Sequence, residues 1–114
     1  MKITRVEETP KTQVQMEGAR DAFKQVLIGK ADGSPTMSLR VFTVAPGGYT
    51  PHHAHGFEHI NYVIAGRGEL VTDQGPRAIA AGDFVLVLPD ERHRYRNVGG
   101  DPLVFACLVP TAYE

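Results

Sequence analysis

The stretch GGYTPHHAHGFEHINYVIAG, residues 47–66, contains four of the five histidines in this chain. In a β-strand, residues two apart point to the same face, so His53 and His55 would project side by side and chelate one ion. The same alternation turns His52 to the opposite face, where it is more simply a surface or rim residue. The stretch therefore predicts a metal site built on β-strands.

A third nitrogen donor is available from His59, because Gly56 allows the chain to bend back after His55. The neighbouring Glu58 is not a substitute ligand, because alternation turns it to the other face. We therefore expect Glu58 to be exposed or to form an ion pair.

A fourth candidate lies far along the chain, in the segment ERHRYRN, residues 91–97. Alternation divides this segment into one face with Arg92, Arg94 and Arg96 and another with His93, Tyr95 and Asn97. Three arginines rarely face a core, so the face with His93 is expected to point inward. The arginine face is more simply a solvated surface or a subunit contact than a substrate clamp.

Any one of these histidines taken alone is most simply an ordinary core or surface residue. Four inward imidazoles without a metal, however, would leave several ring nitrogens competing for hydrogen-bond partners, at about 1–3 kcal/mol for each unsatisfied group. A bound metal is the economical explanation for the four together.

The rest of the chain is a series of short runs rich in β-branched and aromatic residues, separated by turn formers. The predicted strands cover residues 22–28, 37–44, 50–55, 59–65, 68–72, 77–80, 83–88, 93–97 and 103–109. No stretch keeps a helical period, so the fold class is all-β, a sandwich or small barrel. We expect one barrel domain over residues 19–114, preceded by a polar arm or edge strand over residues 1–18.

Composition excludes several classes of function. The 114 residues are 42% apolar and 22% charged with a net charge of -1, which indicates neither a nucleic-acid partner nor a membrane. The single cysteine, Cys107, cannot form an intrachain disulfide. The polar N-terminal stretch lacks the apolar core of a signal peptide, and we expect a cytoplasmic protein.

Two motifs of this chain resemble those of the cupin superfamily. The first runs from Gly47 to Gly66 with its ligands at His53, His55 and His59, and the second comprises Gly82, Pro89, His93 and Asn97. The sequence departs from the family pattern in two ways. His59 stands where most cupins have glutamate, and Pro89 lies one place late without the glycine that usually follows it.

The resemblance implies a jelly-roll β-barrel of two antiparallel sheets with a metal held by His53, His55, His59 and His93. The histidine at position 59 makes the chain similar to small single-domain cupins with four histidine ligands, a subgroup associated with manganese. Iron is the next candidate, and zinc, copper or nickel also suit imidazole ligands. Small members of the family commonly pair through a sheet, so we expect a homodimer, to which the arm could contribute an exchanged strand.

The pocket walls are less constrained than the ligands. By parity, Phe105 and Cys107 share one face of the last strand and are candidates to line the pocket, although plain core is equally compatible. Phe57, in the loop between His55 and His59, is a candidate for the rim. Arg40 could either reach the pocket or pair with an acid.

The leading functional hypothesis is a metal-dependent oxidoreductase, an oxygenase or dioxygenase, that acts on a small organic substrate with the chemistry residing in the ion. No acid, base or nucleophile is assigned beyond the metal centre. Two alternatives remain, a non-catalytic cupin that binds a metal and a metabolite, and a redox-neutral isomerase or lyase. Fold alone does not choose among them.

Overall fold

The computed structural model describes residues 1–114 and contains nine β-strands with three short 3-10 helices. The strands are β1 Thr12–Gln13, β2 Arg20–Ile28, β3 Met37–Tyr49, β4 His59–Ala65, β5 Arg67–Thr72, β6 Gly75–Ala80, β7 Phe84–Val87, β8 His93–Arg96 and β9 Leu103–Pro110. The 3-10 helices cover Val6–Glu8, Lys30–Asp32 and Thr111–Tyr113. The all-β prediction is confirmed. No helix in the structure is long and apolar enough to cross a membrane.

All strand pairs are antiparallel, and the strand order is β6-β5-β8-β3-β9-β4-β7, with β2 and then β1 added beside β3. Strand β3 is long enough to pair with β2 and β9 along most of its length and with β8 at its last residue, Tyr49. This shared strand curls the sheet into a half-barrel. The predicted jelly-roll barrel is thereby confirmed.

The core lies inside the curled sheet and is built by alternation. Strand β9 shows this most clearly, because Leu103, Phe105, Cys107 and Val109 are all buried while the residues between them are only half-buried. The apolar residues packed between the two halves of the sheet are Ala22, Val44, Val63, Leu70, Ile79, Tyr95, Leu103 and Phe105. Apolar burial of this kind, at about 25 cal/mol per Å², is the main stabilising term for the barrel.

The predicted strand at residues 50–55 is wrong. Pro51 has no N–H to donate to a ladder, and the hydroxyl of Thr50 accepts the N–H of Tyr95 at 2.9 Å in place of a carbonyl. Regular pairing therefore stops, and only an isolated bridge remains between His53 and His93.

The N-terminal arm, residues 1–18, packs against its own barrel. Strand β1 pairs with β2, and the side-chain amide of Gln25 donates to the carbonyls of Val6 and Thr9 at 2.7 and 2.8 Å. The Lys2 ammonium lies 2.6 Å from Asp32. In this structure the arm therefore pairs and hydrogen-bonds within its own chain.

Candidate metal centre

Three histidines form a cluster on the inner side of the barrel. The potential ligand atoms of His53, His55 and His93 all lie within 4.8 Å of one another. His53 is fixed relative to His93 by two backbone hydrogen bonds of 3.1 and 3.0 Å, and the ring of His55 lies 4.4 Å from that of His53. His53 and His55 in the loop before β4 and His93 on β8 are therefore held together as one cluster.

His59 is buried on β4 and adjoins this cluster on one side. Its Nε2 lies 3.2 Å from Nε2 of His93, and its ring centroid lies 5.3 Å from that of His55. Only His53, His55 and His93 share a common reach, so the predicted set of four is brought together in part and the four-histidine site is not confirmed. A hydrogen bond to Asn61 holds the His59 ring toward β4.

The side chain of Asn61 fixes the proton position on His59. Its Nδ2 donates to the carbonyl of Ala106 at 3.3 Å, so its Oδ1 must accept. That oxygen lies 2.8 Å from Nδ1 of His59 and 2.9 Å from the hydroxyl of Tyr95. Nδ1 of His59 is therefore the protonated nitrogen, and Nε2 keeps a free lone pair.

The position of the proton on the His93 ring is fixed in the same way. Its Nδ1 lies 2.9 Å from the carbonyl oxygen of Glu91 and must donate to it, which leaves a lone pair on Nε2. Two lone pairs, on His59 and His93, therefore face each other across 3.2 Å. Such a contact repels unless a cation lies at it, and a divalent ion fits this donor set.

A proton is a poor candidate for that cation at neutral pH. Burial, with a smaller contribution from His93, lowers the pKa of His59 to about 4. Burial also lowers the pKa of His55 to about 4, and it lowers the pKa of His93 and His53. All four rings are therefore neutral at pH 7, which is the form that binds metals.

The ring of His55 also suits a metal site. Its Nδ1 is buried and has no hydrogen-bond partner, an arrangement that is costly unless a cation or another donor satisfies the nitrogen. By contrast, His52 is exposed and lies outside the cluster, and Glu58 is also exposed.

The cluster lies at the wall of a cavity of about 420 Å³, within the size range of small-molecule sites. The candidate wall residues Phe105 and Cys107 and the candidate rim residue Phe57 all line it. Phe57 stacks on His55 at 4.5 Å between ring centroids and on Tyr113 at 3.9 Å. The aromatic residues of the wall are Phe42, Phe57, Tyr95, Phe105 and Tyr113.

A second cavity of about 530 Å³ lies between the open edges of the sheet at β6 and β7. Its lining includes the charged side chains of Arg77, Asp83 and Arg92, and of the five histidines it contains only His93. Although it is larger, it lacks the ligand cluster, so the functional pocket is the smaller one.

Arg40 reaches the functional pocket. The sequence had left open whether it would do so or pair with an acid. Its Nη2 donates to Sγ of Cys107 at 3.1 Å, and its Cζ lies 5.0 Å from the ring centroid of Phe42. Sequence reasoning missed Asn61 and did not weigh Tyr95 as a functional residue. The alternation of β4 offers a signal for Asn61, because it shares the inner face with His59.

The arginines of β8 lie on the outer surface, apart from the histidine cluster. Arg96 pairs with Glu69 at 2.7 Å, and Arg94 lies over the ring of Tyr49 at 4.6 Å. His93, Tyr95 and Asn97 are buried on the opposite face, as alternation predicts.

A curled antiparallel sheet that holds a cluster of histidines at the wall of an apolar pocket defines a β-barrel of the cupin type. Residues 40–109 match the family model described as the cupin domain. The chain belongs to the cupin family.

Two kinds of relative agree with this assignment. The structure of the polyketide cyclase RemF from Streptomyces resistomycificus superposes with a TM-score of 0.93 at 30% identity, over 97% of this chain and 80% of that one. The 1-methylthio-D-xylulose 5-phosphate methylsulfurylase of Rhodospirillum rubrum is 30% identical over 90 residues, 79% of this chain and 56% of that protein. Protein SchB of Streptomyces halstedii is 35% identical over 68 residues, 59% of this chain and 49% of that protein. The chain spans about half the length of these two curated relatives.

The neutral histidines predict how stability depends on pH. In the unfolded chain an imidazole has a pKa near 6.5, whereas burial holds the pKa of His55 and His59 near 4 in the folded protein. Between these values the unfolded chain binds protons that the folded chain does not. We expect the free energy of unfolding of the metal-free protein to be constant above about pH 6.5 and to decrease as the pH falls toward 4. Urea titrations at several pH values measure this, and a midpoint that rises on acidification would contradict it.

Proposed function

We propose that this chain is a metal-dependent enzyme that promotes the cyclisation of a small substrate rich in carbonyl groups. The observation that carries the proposal is the placement of neutral, lone-pair-bearing histidines at the wall of an aromatic pocket of about 420 Å³. The similarity to the polyketide cyclase RemF over 97% of the chain supports it. A planar polyketone matches such walls in shape and polarity.

His53, His55 and His93 would hold the ion, and we propose His59 as the fourth ligand because its Nε2 lone pair faces that of His93. A bound divalent ion supplies Lewis acidity, which polarises a carbonyl oxygen and acidifies the adjacent C–H bonds. Among metals, manganese is proposed first and iron second. With four neutral ligands the ion would keep its full positive charge within the ligand set.

The remaining pocket residues bind and orient the substrate. Phe57 and Tyr113 in the pocket wall stack on each other, and Phe42 stacks on Phe105 with ring centroids 5.5 Å apart. These faces exclude water and hold a flat substrate in one orientation, which favours one ring closure over competing ones. Burial raises the pKa of Tyr95 well above its usual range, so its hydroxyl stays protonated and fixes Asn61.

A direct test supplies the manganese-loaded protein with a synthetic aromatic triketone and follows ring-closed products by mass spectrometry. We expect ring closure to require metal, to be lost in His93→Ala and to be kept in His52→Ala, because His52 is exposed and outside the cluster. Equal product with and without chelator would contradict the proposal.

An oxygenase is the second candidate, favoured by the apolar, aromatic surroundings of the histidine cluster, which would shield reactive oxygen species from water. An oxygen electrode run on the same reaction separates the two. Dioxygen consumed in proportion to product would identify an oxygenase, whereas ring closure under nitrogen identifies redox-neutral chemistry. Tight binding without turnover would identify a metabolite-binding protein.

We also propose that two copies pair through the outer face of β4 and β7. Six large apolar side chains on this face are between 39% and 75% exposed. They are Ile60, Tyr62, Ile64, Phe84, Leu86 and Leu88. No Asp, Glu, Lys or Arg interrupts β4, β7 or the neighbouring β9. An uncharged apolar sheet face of this extent marks an interface, and a second copy offers a matching apolar face.

The pairing predicts a specific effect of charge. Leu86→Glu would place a carboxylate in the centre of the apolar face and should convert a dimer into a monomer, as measured by light scattering after size exclusion. Val98→Glu is the matched control, because Val98 is also exposed but lies in the turn after β8. A wild-type monomer, or a Leu86→Glu dimer, would reject the proposed interface.

A further inference from the structure

Arg40 is a cation inside the functional pocket without an anionic partner. The ion pairs of the structure are Lys2 with Asp32, Arg20 with Asp21 and Arg96 with Glu69, and none involves Arg40. Nε of Arg40 is buried and makes no hydrogen bond. A buried guanidinium donor left unsatisfied is costly, so the position calls for an acceptor that binds there.

The acid that lines the pocket is already hydrogen-bonded to other residues. Glu114 is the only carboxylate that lines the pocket. Its Oε2 accepts from the hydroxyl of Ser38 at 2.6 Å and from the N–H of Lys30 at 2.8 Å, and these hydrogen bonds lower the pKa of Glu114. The pocket therefore has two cationic side chains, Lys24 and Arg40, and one acid, whose carboxylate is already hydrogen-bonded to Ser38 and Lys30.

Arg40 is also held in a fixed position next to the histidines. Its Nη2 contacts Sγ of Cys107, and the same sulfur lies 3.7 Å from Nδ1 of His59. Phe42 supports the guanidinium plane from one side. The guanidinium is a planar fork of donors of which only Nη2 is hydrogen-bonded, and such a fork matches a planar pair of oxygens better than a point charge does.

From these observations we propose that Arg40 binds a delocalised oxygen anion of the substrate, a carboxylate or the enolate of a β-diketone, beside the metal-binding histidines. The proposal deepens the proposed function and rests on it only in taking this cavity as the substrate site. It makes Arg40 the residue that selects anionic over neutral substrates.

The test compares binding of naphthoate with that of its neutral isostere naphthamide, measured by fluorescence on both chelator-treated and manganese-loaded protein. We expect the wild type to prefer naphthoate by about tenfold or more in both forms, because a charge-assisted bidentate contact is lost with the amide. Arg40→Gln should reduce this preference to about twofold or less, and Arg40→Lys should retain part of it. Wild-type protein without a preference, or a preference that survives in Arg40→Gln, would overturn the proposal.

Three further measurements keep the result unambiguous. Lys24→Gln removes a charge from the same pocket without removing the Arg40 guanidinium. It should leave most of the preference for naphthoate over naphthamide. Equal losses in Lys24→Gln and Arg40→Gln would overturn the proposal in favour of a diffuse positive potential. Circular dichroism confirms that each variant is folded, and Arg40→Lys keeps the charge if Arg40→Gln does not fold. Ring closure of the triketone is scored separately, so an anion preference without turnover refutes the cyclase and spares the role of Arg40.

Discussion

His93→Ala is expected to lower the affinity for a divalent metal by about 100-fold or more, because it removes a ligand whose orientation is already set by a hydrogen bond to Glu91. His93 belongs to the group of three within common reach and also faces His59, so its loss affects every version of the site. Metal content after dialysis measures the effect. Thermal unfolding in the presence and absence of manganese provides a second readout, because a ligand that binds only the folded state stabilises it.

His52→Ala is the matched control for this experiment. His52 adjoins His53 in sequence but is exposed, and its removal should leave metal content unchanged. His59→Ala distinguishes a ligand set of three from a set of four, since a fourth ligand predicts a loss comparable to that of His93→Ala. Normal metal content in His93→Ala would refute the metal centre itself.

Gly66→Ala is expected to destabilise the fold by about 3 kcal/mol or more, a large part of the stability of a typical domain. Gly66 has a φ of 81°, and an added Cβ would lie 2.2 Å from the carbonyl oxygen of Pro102. Two costs therefore combine, a left-handed backbone that disfavours a side chain and a collision with backbone that cannot rotate away. The melting temperature should fall by roughly 10 °C or more.

Gly82→Ala separates these two costs. Gly82 also has a positive φ, 98°, but nothing lies within 4 Å of the position of its Cβ. It should lose only the conformational term, about 1–2 kcal/mol. Equal losses of stability at the two glycines would contradict the predicted role of the Pro102 contact.

The sequence predicted more of the fold than of the site. Alternation alone placed His93 on an inner face against a row of arginines, and it placed Phe105 and Cys107 together on β9. It failed at Thr50–His55, where Pro51 and the hydroxyl of Thr50 replace regular pairing. The prediction that His53 and His55 meet depended on a strand that is absent, yet the rings do lie 4.4 Å apart, because the His53–His93 bridge holds this segment against β8.

What the sequence by itself determined was local, namely the alternating faces, the turn residues and the types of ligand. Those features depend on chain geometry within a few residues, so short stretches such as residues 47–66 and 91–97 were sufficient to indicate them. Only the tertiary structure decided that Arg40 enters the pocket without an ion-pair partner and that Asn61 orients the ring of His59. Each of these depends on which atoms of distant strands come within hydrogen-bond distance, because β3, β4 and β9 meet only in the folded sheet.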